Sequence, residues 1–403
     1  MKRLILVADG CADWPIESLG DKTPMEAADI KNINKLAQIS EVGLVKTVPD
    51  SLEPGSDVAN LAILGYDPVV CLTGRAPLEA AAMGLKICDN EAAFRVNLIT
   101  LEGSGQYGDL LLKDHSAGEI TNEESEILMK YIDEELGHKD MRFYFGVSYR
   151  NLLITDKFDI KCKLTPPHDI FNQKIEGYLP QGYGSEKISD LMRRSYELLK
   201  NHPINVKRAE NGLNPANSIW IWGQGKQPEF VPIEKKYGVK GSVITAVNLI
   251  KGIGVCAGLN PVNVPGADGT LHTNYEGKAL YAIKEFEKGY NFVYVHVEAP
   301  DECSHNADLK GKIQALENID EKVFTPIVRY LDSTGEAYKI MVITDHYTPV
   351  KIRTHTAEPV PFVLYNSENK EPAQKWKMFS EASGEKGLFF NCGCDLADYF
   401  FSN

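Results

Sequence analysis

The chain has 403 residues, 43% hydrophobic and 25% charged, with a formal net charge of -13. That length and apolar content suffice for two domains with separate cores, and the acidic excess argues against nucleic acid or an anionic membrane as a partner. A phosphorylated ligand therefore needs local cations, from basic side chains or from metal ions. No run approaches the roughly eighteen apolar residues of a membrane span. The opening Lys2-Arg3 and Leu4 to Ala8 imitate a signal peptide, but Asp9 interrupts the run, and a cytoplasmic protein is expected. Eight cysteines without C-x-x-C spacing read as reduced thiols.

In chain order, the first expected strand is Lys2 to Ala8, ending at Asp9-Gly10. A helical stretch starts at Pro24 and continues through Ile33, Leu36 and Ile39, and a second strand is expected over Val42 to Val48. Then comes Pro54-Gly55-Ser56-Asp57, where Pro-Gly ends what precedes, Ser56 is placed as a helix N-cap, and Val58 to Leu64 reads as helix closed by Gly65. From residue 80 to 235 the pattern changes. Strands are expected over Ala92–Leu101, Met141–Val147, Asn151–Thr155 and Ser218–Trp222, and helices over Glu119–Leu136 and Ser185–His202. We read this as an inserted α+β domain, residues 80–235, within a discontinuous first domain, residues 1–79 and 236–403, with Gln224 to Pro232 as the return linker. Gly252-Ile253-Gly254-Val255-Cys256-Ala257 fits a G-x-G-x-x-A dinucleotide pattern only weakly, because Pro261 and Pro265 cut short the helix that should follow. Strong strands over Phe292–Val297 and Lys339–Thr344 lead to Asp301 and Asp345.

Three strands thus end near carboxylates, Asp9, Asp301 and Asp345, and three histidines follow the last two, His305, His346 and His355. In an open α/β sheet the carboxyl ends of the strands form the ligand crevice. Three aspartates and three imidazoles there can hold two divalent metals, and the spacing of Asp301 and His305 puts both on one side of a helical turn. Ser56 supplies the remaining part. A serine hydroxyl is a poor nucleophile until a dication lowers its pKa, and a helix N-terminus favours the charge of a phosphoryl group carried on it.

These motifs resemble the alkaline phosphatase superfamily and, within it, the archaeal-type cofactor-independent phosphoglycerate mutases. The resemblance runs through Ala8-Asp9-Gly10, Lys22 to Ala28, Pro54 to Asp57, Leu64 to Pro68, Thr73 to Ala80, Asn217 to Gly223, Asp301 to His305, Thr344-Asp345-His346 and His355. It implies an alkaline-phosphatase-like α/β sheet sandwiched by helices, with an inserted α+β cap that closes over the substrate. It implies Ser56 as the phosphorylated nucleophile, one metal on Asp9, Ser56, Asp345 and His346, and the other on Asp301, His305 and His355. The metals are expected to be manganese, with magnesium, zinc or cobalt as alternatives, and bisphosphoglycerate is not required.

Arg150, His168, Asp169, His202, Asn205, Arg208 and Lys251 are candidate contacts for a small phosphorylated carboxylate substrate. One departure bears on function. Archaeal members read Gly-Ser-Asp-Thr-Ala-His where this chain has Val58 and Asn60, a variant resembling a bacterial subgroup of proposed homoserine kinases. The expected activity is interconversion of 3- and 2-phosphoglycerate. An ATP-dependent homoserine kinase is the alternative and a phosphomonoesterase the third reading, while a non-catalytic metal-stabilised protein is disfavoured because no ligand is missing. The oligomeric state is left open.

Overall fold

The apolar run Lys2–Ala8 forms an inner strand of an eight-stranded sheet in a computed structural model of the chain, which describes residues 1–369 and 372–402. The chain divides into two units, residues 1–72 with 229–403, and residues 73–228. In chain order the strands are β1 (Lys2–Ala8), β2 (Glu41–Val45), β3 (Ala92–Glu102), β4 (Leu111–Asp114), β5 (Met141–Val147), β6 (Arg150–Thr155), β7 (Ser218–Gly225), β8 (Gly241–Ile244), β9 (Asn260–Val262), β10 (Phe292–Val297), β11 (Tyr338–Ile343), β12 (Val360–Asn366) and β13 (Leu388–Phe390).

In the first unit the sheet order is β13-β2-β12-β11-β1-β10-β8-β9. β1 lies parallel to β10 and β11, with Ala8 opposite Val297 and Val7 opposite Ile343. That register brings the carboxyl ends of the three strands level, so the residues after them share one edge of the sheet. β10 and β11 are buried along their whole length, as strands covered on both faces should be. β12 runs antiparallel to both β11 and β2 and carries Pro361, which hid it from a sequence reading.

Several expected elements are corrected. The helical stretch from Pro24 is two helices, Pro24–Ala27 and Lys31–Ala37, interrupted where Ala28 is extended. The first is held by a capping box between Thr23 and Glu26. The second is capped from a distance, because the Asp320 carboxylate accepts from the N–H groups of Asn32 and Ile33 at 3.2 and 2.6 Å. The second strand ends at Val45 rather than at residue 48. The G-x-G-x-x-A segment lies in and just after helix Asn248–Cys256, so it is no phosphate loop. Gly254 is explained by packing, since a Cβ there would stand 2.5 Å from Val243 Cγ1.

The second unit is an antiparallel sheet in the order β4-β3-β6-β5, with β7 on the other side of β3. Helices Asn122–Leu136 and Ser185–Leu199 share a core with it that includes Phe94, Leu98, Leu128, Ile132, Leu191 and Trp220. The second of these helices stops at Leu199, and His202-Pro203 starts a separate helix, Pro203–Glu210. Residues 73–79, placed with the first domain by sequence, sit in this unit. Helix Arg75–Ala82 buries Ala76 and Ala80 against Ala93, Leu152 and Ile154. Among the described residues no helix is long and apolar enough to cross a membrane.

Candidate active site

At the carboxyl edge of the first unit's sheet, β1 runs into Asp9 and then Gly10, whose φ of 60° lets the chain turn sharply. The turn aims the Gly10 N–H at Asp345 Oδ1, 3.0 Å away, and the His346 N–H donates to the same oxygen at 2.9 Å. After β10, helix Ala299–His305 starts with Pro300 in its first turn and presents Asp301 and His305 four residues apart. His355 comes from the segment between β11 and β12. Ser56 is the first residue of helix Ser56–Ile63 rather than its N-cap. Extended Gly55 takes the cap position, and the Ala59 N–H closes the first turn on the Gly55 carbonyl.

The structure gathers all seven of these side chains in one unit. Ser56 Oγ lies 3.0 Å from His346 Nε2, which is itself 3.6 Å from Asp9 Oδ1 and 3.5 Å from Asp345 Oδ2. Asp301 Oδ2 lies 3.2 Å from His305 Nε2 and Asp301 Oδ1 lies 3.4 Å from His355 Nε2, with the two Nε2 atoms 3.0 Å apart. Ligand atoms of Asp9, Asp345 and His346, and likewise of Asp301, His346 and His355, fall within 4.8 Å of one another. These are two adjacent sets of hard oxygen and imidazole donors, the chemistry that divalent first-row metals accept. His305 Nδ1 meets the Arg353 carbonyl at 2.9 Å, and since a carbonyl only accepts, that nitrogen carries a proton and Nε2 is the nitrogen turned inward.

The charge balance also points to cations. Burial first, then the charges of Asp345, Asp301 and Glu298, raises the Asp9 carboxyl well above the ordinary range. Its Oδ1 is buried without a hydrogen-bond donor among the described residues. A buried acceptor facing like charges fits a dication. Burial also opposes ionisation of Asp301, but the imidazoles of His305, His355 and His346 outweigh it and hold this carboxyl well below its usual range. The contact with Asp301 lifts His305 to about 8, whereas burial lowers His346.

The expected substrate contacts separate into different roles. In the second unit, His168 packs edge-on against Trp222 and against His115, and the Arg95 guanidinium stacks over Trp222 at 4.3 Å. Burial, then the neighbouring charges of His115, Arg95 and Arg75, lowers the His168 pKa against the pull of Asp169. Arg150 lies over the Tyr149 ring and belongs to the same positive field, since it and Arg75 act on Arg95 and Glu79. Asn205 and Arg208 do structural work instead. Asn205 holds the carbonyls of Leu199 and Ala216, and buried Arg208 binds the carbonyls of Asn214 and Ala117 and the Glu124 carboxylate. His202 caps its helix through Nδ1, and Lys251, in the first unit, pairs with Asn263.

The family model of 2,3-bisphosphoglycerate-independent phosphoglycerate mutase matches residues 37–205. A 2,3-bisphosphoglycerate-independent phosphoglycerate mutase of Methanosarcina barkeri is 47% identical over 388 residues, 96% of each chain. The chain belongs to this family. A probable member from Geobacter sulfurreducens is 43% identical over 99% of both chains. Among solved structures, a protein from Pyrococcus horikoshii aligns with a TM-score of 0.81 at 28% identity, covering 100% of this chain and 97% of its own. The cofactor-independent phosphoglycerate mutase of Thermoplasma acidophilum shares the fold, with a TM-score of 0.68 at 24% identity over 100% and 99% of the two chains.

Sequence reasoning missed several residues in each unit. His296 is the next-to-last residue of β10, fully buried, with Nε2 3.1 Å from Asp9 Oδ2. A histidine in an otherwise apolar, doubly covered strand was the available signal. Asn60, treated only as a departure from a motif, turns out to bond Asp345. Arg75, Arg95 and His115 come from separate elements, and no local spacing connects them.

Proposed function

We propose that the chain interconverts 3-phosphoglycerate and 2-phosphoglycerate through a phosphoserine at Ser56, with no bisphosphoglycerate. The observation that carries this reading is the position of Ser56 Oγ, 3.0 Å from His346 Nε2, at the first turn of a helix and beside two sets of carboxylate and imidazole donors. Asp9, Ser56, Asp345 and His346 would hold one divalent cation and Asp301, His305 and His355 the other, manganese first, with magnesium, zinc and cobalt as competitors. When bound, such cations lower the serine pKa and offset charge on the phosphoryl oxygens.

The chain's own groups set up the exchange. Ser56 Oγ gives up its proton and forms its bond to phosphorus as the substrate's P–O3 bond breaks, and the released 3-oxygen takes up a proton. In the return step the 2-oxygen loses its proton and bonds to phosphorus as the P–Oγ bond breaks, and Ser56 Oγ takes a proton back. The backbone amides of the first helical turn favour the phosphoryl charge carried on Oγ. Because the same glycerate must take the group back, it has to stay bound between the steps. In the second unit Arg150 and Arg75 lie near Arg95, which in turn neighbours His168, a cationic surface of the kind that recognises a carboxylate. The homoserine kinase reading of the Val58 and Asn60 variant gains no support from relatives at 43–47% identity that carry phosphoglycerate mutase names.

Phosphorus NMR of manganese-loaded protein with 3-phosphoglycerate, without bisphosphoglycerate, tests this. A 2-phosphoglycerate signal is expected with Ser56 present and none with Ser56→Ala. Turnover retained in Ser56→Ala refutes the phosphoserine. A phosphohomoserine signal from homoserine and ATP, with 3-phosphoglycerate untouched, moves the function to the kinase.

A further inference from the structure

We propose that the Thr348 hydroxyl is a positioning group that ties the two metal-binding sets together, accepting a hydrogen bond from the Nδ1–H of His346 and donating one to Asp301. The proposal rests on the reading that His346 and Asp301 ligate divalent cations. Thr348 is fully buried, and its Oγ1 lies 2.6 Å from Asp301 Oδ1 and 3.1 Å from His346 Nδ1. It thus touches one residue from each half of the site.

The direction of the two bonds follows from counting protons. A hydroxyl has one proton to give, and an ionised carboxylate can only accept. The short contact to Asp301 therefore uses the Thr348 proton. Toward His346 the oxygen has only lone pairs left, so His346 Nδ1 must carry hydrogen. A neutral imidazole protonated at Nδ1 has its lone pair on Nε2. That nitrogen is the one facing Ser56 Oγ at 3.0 Å, Asp9 Oδ1 at 3.6 Å and Asp345 Oδ2 at 3.5 Å. The opposite tautomer would aim an N–H at the place where a cation has to sit. Orienting contacts of this kind set both the tautomer and the direction of a ligand.

The backbone holds the hydroxyl in place. The Thr348 N–H donates to the Ala12 carbonyl at 3.2 Å, and the Thr348 carbonyl accepts from Lys312 Nζ at 3.0 Å. Fully buried Lys312 is itself fixed by Asp13 Oδ2 at 2.9 Å and the Ala12 carbonyl at 3.3 Å. Gly10 leaves the room. A Cβ on it would stand 2.5 Å from both Thr348 Oγ1 and Asp301 Oδ1, so the bond between them depends on bare backbone at that point.

Thr348→Val keeps the branched shape and removes the hydroxyl, while Thr348→Ser keeps the hydroxyl. In calorimetric and electron paramagnetic resonance titrations with manganese, Thr348→Val should bind about 10- to 100-fold more weakly, the usual range for loss of such a contact, and Thr348→Ser should stay close to the unsubstituted protein. Equal affinity of the unsubstituted protein and Thr348→Val overturns the proposal while leaving the cation reading intact. If the unsubstituted protein binds no manganese, the cation reading falls and takes this proposal with it. Nitrogen-15 NMR of the metal-free, unsubstituted protein gives an answer independent of any variant's folding. His346, assigned by loss of its signal in His346→Gln, is expected to be protonated at Nδ1, and protonation at Nε2 alone overturns the proposal.

Discussion

Asn60 Nδ2 donates to Asp345 Oδ2 at 2.9 Å and to the Ser56 carbonyl at 2.8 Å, so one buried amide joins the helical turn of Ser56 to a carboxylate just past the end of β11. Its orientation is fixed by chemistry, because both partners only accept, and the Tyr294 hydroxyl donates to Asn60 Oδ1 from the other side. Asn60→Ala leaves buried groups unpartnered and should cost about 1–3 kcal/mol of stability, in the range for a stranded buried donor or acceptor. Asn60→Asp adds a like charge beside Asp345 and should be worse in metal-free protein than in loaded protein. Urea unfolding with and without chelator measures both effects, and an unchanged midpoint for Asn60→Ala would remove the amide from any structural role.

The two arginines first grouped as substrate contacts should separate cleanly. Arg208 is 4% exposed and saturated by backbone carbonyls and Glu124. Arg208→Ala leaves two carbonyls without their donors beside a half-buried Glu124, and a loss of about 1–3 kcal/mol is expected from the stranded acceptors. Arg150 is exposed and touches the Tyr149 ring. Arg150→Ala should leave the melting temperature unchanged and raise KM about tenfold or more, the effect of losing a hydrogen bond to a charged ligand group. An unaltered KM would exclude Arg150 from substrate recognition.

Stability should fall between mildly acidic and neutral pH because of one buried acid. Glu381 accepts from the Asp13 N–H at 3.0 Å and from Thr23 Oγ1 at 2.8 Å, and burial raises its pKa from 4.5 to about 7. The folded chain therefore holds this proton more tightly than the unfolded one. Its contribution is fully present below pH 4.5 and is lost as pH rises through about 7. The whole effect is about 3 kcal/mol at 1.36 kcal/mol per pKa unit. Glu381→Gln cannot titrate, so its urea midpoint should vary less between pH 5 and 7.5 than that of the unsubstituted chain. Parallel slopes for the two proteins would contradict the assignment.

The parts of the site that were legible in the sequence are those built by local rules. β1, β10 and β11 announce themselves as short apolar runs, and the i, i+4 spacing of Asp301 and His305 needs only a helical turn. Ser56 was found, but its exact place in the helix depended on Gly55 being extended, which a favourable cap residue obscures. The contacts that orient the ligands were not legible. Asn60 meets Asp345 across 285 positions and Thr348 meets Asp301 across 47, and nothing near either residue encodes the pairing. The same holds for β12, whose proline argues against a strand until two neighbours are present to pair with it, and for Arg95 and Trp222, which meet because β3 and β7 are adjacent.

Asp9 should show stability and function pulling in opposite directions. In the metal-free chain its carboxyl is buried close to Asp345, Asp301 and Glu298, and burial with these like charges raises its pKa well above the ordinary value. Ionising it at neutral pH therefore works against folding until a cation is bound. Asp9→Asn removes the charge at nearly constant shape. With chelator present at pH 7, the variant should melt at a higher temperature than the unsubstituted protein, and the difference should shrink as pH falls and Asp9 protonates. With manganese present the order should reverse, because the unsubstituted protein gains the binding energy of the ion as added stability and the variant does not. Phosphoryl transfer should be lost in the variant at every pH. A variant less stable than its parent in chelator would mean that Asp9 holds the fold through its hydrogen bonds, and that the carboxylate cluster is balanced without a cation.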